Sequence, residues 1–157
     1  MTEDVVGAQI GAAVKNGLAI ACGALHGMQM GENAKAALIT RGIAEMGRLA
    51  KAIGADEKTL MGMCGFGDVM LTCSSMQSRN FSLGAMLGEG RSLDDILAER
   101  KSVTEGLHTA KALKKLAYDN AVDMPISEAV FQVLCEGLPL EKGVEQLLDR
   151  PFSKNGG

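Results

Sequence analysis

Lys15 is the residue of this sequence best placed to do chemistry, because of what surrounds it. From Val5 to Leu25 the polar side chains are Gln9, Lys15 and Asn16, apart from the Cys22 thiol. An ammonium inside so apolar a run is costly unless it is paired or gives up its proton. One reading is a desolvated amine poised to take and return a proton. The other is a lysine whose stem packs along a helix while the amine reaches solvent. Asn16, about 100° further round a helix, could orient a bound polar group.

Three further clusters could complete a site. Asp68 and Thr72 lie four residues apart, on one face of a helix following Gly65-Phe66-Gly67. The carboxylate could accept from a substrate hydroxyl, pair with Lys15, or simply cap its helix. Pairing would hold the lysine charged, against the effect of desolvation, so the two influences leave its resting state open. Gln77-Ser78-Arg79-Asn80 sets an arginine and two amides at a helix start. Free backbone N–H groups and a guanidinium fork suit a phosphate there, although an exposed loop arginine is the plainer alternative. Glu105 reads as the reciprocal half of a capping box opened by Ser102. His26, His108 and the methionines are assigned to structure.

The elements that must carry these residues are all helical. A first helix is expected over about Asp4–Leu25, with Gly11, Lys15, Ala19 and Gly23 forming a stripe of small neighbours that leaves room beside the amine. A second spans Glu32–Ile53, with Leu38, Ile39, Ile43, Met46, Leu49, Ala50 and Ile53 on its core face and Lys35, Arg41, Glu45, Arg48 and Lys51 facing solvent. Gly54 stops it, and Asp56 caps a short helix over Glu57–Met61. Further helices are expected from Arg79 towards Leu87, from Ser92 to about Glu99, from Ser102 to about Ala121, from Pro125 to Leu134 and from Leu140 to Leu148. No stretch alternates in the manner of paired strands. The fold class is all-α, in one domain of 157 residues with an ordered core of about 4–150 and a tail from 151.

Composition narrows the functions. Hydrophobic residues make up 46%, with one Tyr, four Phe and ten Met, so aliphatic side chains do the packing. A net charge of −3 offers no general field for nucleic acid or an anionic membrane, and an anionic ligand needs a local site. The four cysteines form no CxxC pair and lie at no zinc spacing from a histidine, so no metal is expected. Free thiols suit a reducing cytoplasm. A membrane span over Val5–Leu25 is disfavoured by Lys15 at its centre, which costs roughly 2.5–3.5 kcal/mol there.

Read in order, the motifs are specific. Gly11-Ala-Ala-Val-Lys-Asn16, Gly31-Glu-Asn-Ala-Lys-Ala-Ala-Leu-Ile-Thr-Arg-Gly42, Gly65-Phe-Gly-Asp-Val-Met-Leu-Thr-Cys73, Gln77-Ser-Arg-Asn80, Val103-Thr-Glu-Gly106 and Met124-Pro-Ile126 span most of the chain. Together they resemble the C-terminal, substrate-binding half of the bacterial NAD(P)-dependent sn-glycerol-3-phosphate dehydrogenases. The resemblance implies a helical domain like the C-terminal domain of 6-phosphogluconate dehydrogenase. It implies interconversion of glycerol 3-phosphate and dihydroxyacetone phosphate with NAD or NADP, in the cytoplasm, feeding phospholipid synthesis. By the same resemblance Lys15 handles the proton at the substrate C2 oxygen. Asp68, Ser78, Arg79 and Asn80 contact substrate, with Asn16 and Thr72 in support, and Arg79, Val103 and Glu105 also meet the cofactor.

One departure is large, because the family's other half is a Rossmann domain and this sequence has no strand–GxGxxG–helix pattern. The chain is therefore expected to be part of a longer protein, with Met1 an artificial start, and to be inactive in hydride transfer by itself. A homodimer is compatible with this reading. Two alternatives stand beside it: another lysine-using dehydrogenase with a similar helical domain, and a stand-alone helical binding or dimerisation module without the chemistry.

Overall fold

A computed structural model of the chain describes residues 2–54, 78–99 and 102–149. Among them are seven helices and no strand: α1 (Thr2–Gly27), α2 (Glu32–Ile53), α3 (Arg79–Gly88), α4 (Leu93–Glu99), α5 (Ser102–Asp119), α6 (Pro125–Cys135) and α7 (Leu140–Asp149). The expected all-α class is what the chain adopts. The short helix expected over Glu57–Met61 lies outside the described residues.

α1 is the axis of the molecule. Its 26 residues span about 39 Å at 1.5 Å per residue. From Leu18 to Leu25 the helix is buried on all sides, so its apolar run is that of a central helix rather than an amphipathic one. α3 lies along one side of it, and α2, α5 and α6 cover others. Most of the core forms one cluster around Leu18, Ile20, Leu25, Leu38, Phe81, Ile96, Val130 and Leu147. A second, smaller cluster joins Val14, Met46, Leu49, Leu113 and Met124, next in sequence to Lys15.

Most ends fall where local chemistry puts them. Gly54 closes α2 in the left-handed region at φ 76°, its N–H donating to the carbonyls of Ala50 and Lys51. Ser92 Oγ accepts from Asp95 N at 3.2 Å, and Pro125 occupies the first turn of α6. α5 departs slightly from expectation at its C-terminus: it stops at Asp119, where Ala121 takes φ 53° and Val122 N turns back to Ala117 O.

Two side chains of α2 expected in solvent are buried instead, Lys35 and Glu45. Lys35 lies 2.8 Å from Glu32 Oε1 and 3.5 Å from His26 Nδ1, so its amine is paired at the end of α1. Glu45 accepts a hydrogen bond from Ile126 N at the start of α6. In each case polar partners offset part of the cost of burying the charge.

Candidate active site

The site is set by how α1 meets α3. A Cβ added to Gly23 would stand 2.0 Å from Phe81 O, and one on Gly27 would stand 2.2 Å from Ala85 O. From the other side, a Cβ on Gly84 would fall 1.9 Å from Ile20 O, and one on Gly88 2.4 Å from Ala24 O. No side chain could be added at these four positions without moving backbone. Both series climb together, so the helices run parallel in backbone contact. The Gly84–Ile20 and Gly23–Phe81 pairs bracket the register, and followed back their mean sets Ser78 and Arg79 level with about Gly17 and Leu18, within a turn of Lys15 and Asn16.

This corrects the reading of the small-residue stripe. Ala19 is fully buried, and Gly23 is filled by the Phe81 carbonyl, so two of the four positions serve close helix packing rather than leaving space for a ligand. Lys15 and Asn16, nearer the start of α1, are half-buried. Their turn is held from beneath by Val14 in the smaller core cluster. Gly17, where a Cβ would meet Leu113 Cδ1 at 2.9 Å, lets α5 approach.

Ser78 is the cap of α3. Its backbone is extended, and its hydroxyl accepts from Phe81 N at 3.2 Å. The hydroxyl proton remains to be donated, and the first backbone N–H groups of a helix have no partner within it. Arg79 lies 3.8 Å from Glu105 on α5, with the two side chains 72% and 71% exposed. So exposed a pair is weak, and the guanidinium can turn to an anion at little cost. Glu105 thus faces Arg79. Asn80 is half-buried, its Oδ1 3.9 Å from where a Cβ on Gly106 would stand. The first turn of α5 is thereby drawn against the start of α3.

Of the residues singled out from sequence, Ser78, Arg79, Asn80 and Glu105 come together here, and the α1–α3 register sets them within about a turn of Lys15 and Asn16 along the helix axis. Val103 is only 1% exposed and belongs to the main core, so a ligand at this turn would meet its backbone and not its side chain. Asp68 and Thr72 lie outside the described residues. Among the described residues no group of His, Cys, Asp or Glu could hold a metal, and no helix is long and apolar enough to cross a membrane. Neither Cys22 nor Cys135 is in a disulfide, and burial pushes the thiol of Cys135 up.

Glu45 is the residue the sequence reading missed. Burial raises its carboxyl to about 7, against the lowering effects of hydrogen bonds from Ile126 and Ser127 and of the Arg48 charge, with Asp123 adding to the rise. A signal was present: Glu45 sits seven residues after Leu38 and four before Leu49, on the buried stripe of α2. Lys35, four residues before Ile39, extends the same stripe. There Glu32 is lowered by its hydrogen bond to Lys35 and by that charge.

Comparison with known proteins gives this geometry a family. A family model described as "NAD-dependent glycerol-3-phosphate dehydrogenase C-terminus" matches residues 4–145. Glycerol-3-phosphate dehydrogenase (NAD(P)+) of Rhodospirillum rubrum is 55% identical over 156 residues, which cover 99% of this chain and 45% of that protein. The protein of the same name from Erythrobacter litoralis is 55% identical over 151 residues, 96% of this chain and 46% of its own length. The crystal structure of glycerol-3-phosphate dehydrogenase from Coxiella burnetii superposes with a TM-score of 0.85 at 41% identity, over 92% of this chain and 45% of that one. The chain thus spans a little under half the length of the relatives it matches. With a matching family model over most of its length and relatives above half identity, the chain belongs to the NAD-dependent glycerol-3-phosphate dehydrogenase family and corresponds to the C-terminal part of its members.

Proposed function

We propose that this chain carries the acid–base and phosphate-holding half of an enzyme that interconverts sn-glycerol 3-phosphate and dihydroxyacetone phosphate with NAD or NADP in the cytoplasm. The observation that supports it most is the parallel α1–α3 contact. Its register sets a helix N-terminus with Ser78, Arg79 and Asn80 within about a turn of Lys15 along the axis of α1. A three-carbon phosphate ester bound across that interval would have its phosphate at α3 and its middle carbon towards α1.

In this reading the phosphate receives the first N–H groups of α3, the Ser78 hydroxyl, the Asn80 amide and the Arg79 guanidinium. Lys15 takes the proton of the C2 hydroxyl in oxidation and returns one to the C2 oxygen in reduction. Asn16 orients that oxygen, and Asp68 and Thr72 complete the surroundings. Half-burial suits the lysine, since partial exclusion of water strengthens its interaction with the oxygen while leaving a route for the proton.

The residues at this surface fit a dinucleotide. Arg79 and Glu105 are exposed and adjacent, offering a cation for a phosphate and a carboxylate for a hydroxyl, with the Val103 backbone beside them. The nicotinamide, when bound, supplies or accepts the hydride. The sequence carries no GxGxxG loop, so the main grip on the dinucleotide is assigned to the remaining length seen in the relatives.

The test is turnover by a polypeptide joining this sequence to a dinucleotide-binding half. Glycerol 3-phosphate should reduce NAD or NADP, and Lys15→Ala should lower kcat with KM little changed. A Lys15→Ala enzyme that keeps its kcat would sink the acid–base assignment.

A further inference from the structure

Outside the candidate site, the buried charge of most consequence is Glu45. Its side chain is 2% exposed and bridges from α2 to the start of α6, where it accepts from the backbone N–H groups of Ile126 and Ser127. α6 has no side-chain cap of its own, since Met124 occupies the cap position and makes no such bond. A carboxylate 81 residues upstream of Ile126 therefore does the capping. Met46 and Met124 flank the two ends of this bridge in sequence, and both are buried against Val14, Leu49 and Leu113. Val14 directly precedes Lys15.

Among the described residues, the charges that act on Glu45 are those of Arg48 and Asp123. Arg48, one turn along α2, donates through Nε to Asp123 O at 3.1 Å, and Asp123 lies in the linker leading into α6. α1 and α5 contribute apolar Val14 and Leu113 to the adjoining cluster.

We propose that Glu45 is a positioning residue: by capping α6 from α2 it fixes the floor on which Val14, and with it the Lys15 turn of α1, is seated. The proposal rests on the reading of Lys15 given above for its functional meaning. The mechanical link rests only on the bridge and the cluster. Adding or removing a proton on Glu45 changes its capacity to accept two N–H groups at once. The floor and the lysine should therefore both respond to its titration.

The experiment uses the 157-residue chain with its lysines reductively methylated with ¹³C. The Lys15 signal is assigned by its loss in Lys15→Arg, and amide exchange is followed at Ile126 and Ser127. In the wild-type chain the Lys15 resonance and the protection of both amides should step together near pH 7. In Glu45→Gln, which keeps an acceptor oxygen but cannot titrate, both steps should vanish. An identical pH course of the Lys15 resonance in the two proteins would overturn the proposal. So would a wild-type Lys15 resonance without a step while the amides titrate, and that comparison needs no variant to fold. The outcome is separate from the catalytic reading: a Lys15 signal that follows Glu45, beside a Lys15→Ala enzyme of undiminished kcat, would keep the seat and remove the chemistry.

Discussion

Gly84→Ala should be among the most damaging single-methyl additions to this chain. The new Cβ would stand 1.9 Å from Ile20 O and 2.8 Å from Ala24 N, both backbone atoms of the central helix. Carbon and oxygen approach to about 3.3 Å at closest, so α3 must retreat by roughly 1.4 Å. A gap of that size forfeits a large share of the dispersion contact along the interface. Overpacking costs typically about 1–3 kcal/mol, and a clash with backbone belongs at the upper end. Alanine returns about 1 kcal/mol through its helix propensity, leaving a net loss of about 2 kcal/mol, or roughly 4–8 °C in Tm. Gly17→Ala is the control, because its Cβ would meet Leu113 Cδ1, the end of a side chain that can swing aside. Urea unfolding of the two variants should separate them by at least about 1 kcal/mol. Equal stabilities, or a Gly84→Ala chain as stable as wild type, would refute the inferred backbone contact.

Other expectations follow from the same geometry. In the dinucleotide-bearing polypeptide, Lys15→Ala should lower kcat by about 10²–10⁴-fold, as measured by steady-state turnover. Arg79→Lys keeps the charge but loses the fork, so KM for glycerol 3-phosphate should rise while kcat changes less, and Arg79→Ala should raise KM further. Glu45 makes stability depend on pH. Its folded carboxyl titrates at about 7 instead of 4.5, so the fold holds this proton more tightly than the unfolded chain does. The stability it contributes is full below pH 4.5, falls as pH rises to about 7 and is level above. The drop is roughly 3 kcal/mol at 1.36 kcal/mol per pH unit. The wild-type Tm less that of Glu45→Gln, scanned from pH 4 to 9, should trace that fall.

Helix boundaries were legible wherever a local residue decides them. Gly54 needs its positive φ, Ser92 caps through its own hydroxyl, and Pro125 suits only a first turn. What depends on a distant partner was not legible. Gly23 and Gly84 lie far apart in sequence, and nothing near Gly23 announces that a carbonyl of another helix occupies its missing side chain. The stripe around Lys15 was accordingly read as room for a ligand. Glu45 and Lys35 fell on the buried stripe of α2, yet their charge outweighed their position until Ile126, Glu32 and His26 were seen to partner them. The nearness of Ser78–Asn80 to the Lys15 turn along α1 could be anticipated only through the order of the motifs, since neither segment alone specifies the α1–α3 register.

Calorimetric titration of the chain with sn-glycerol 3-phosphate, beside glycerol and beside the Arg79→Ala variant, bears most directly on the proposed site. Saturable binding of the phosphate ester is expected, with none for glycerol at the same concentrations and at least tenfold weaker binding in Arg79→Ala. Equal affinity of the wild-type and Arg79→Ala chains for glycerol 3-phosphate, or no preference for it over glycerol, would contradict a phosphate site at the start of α3.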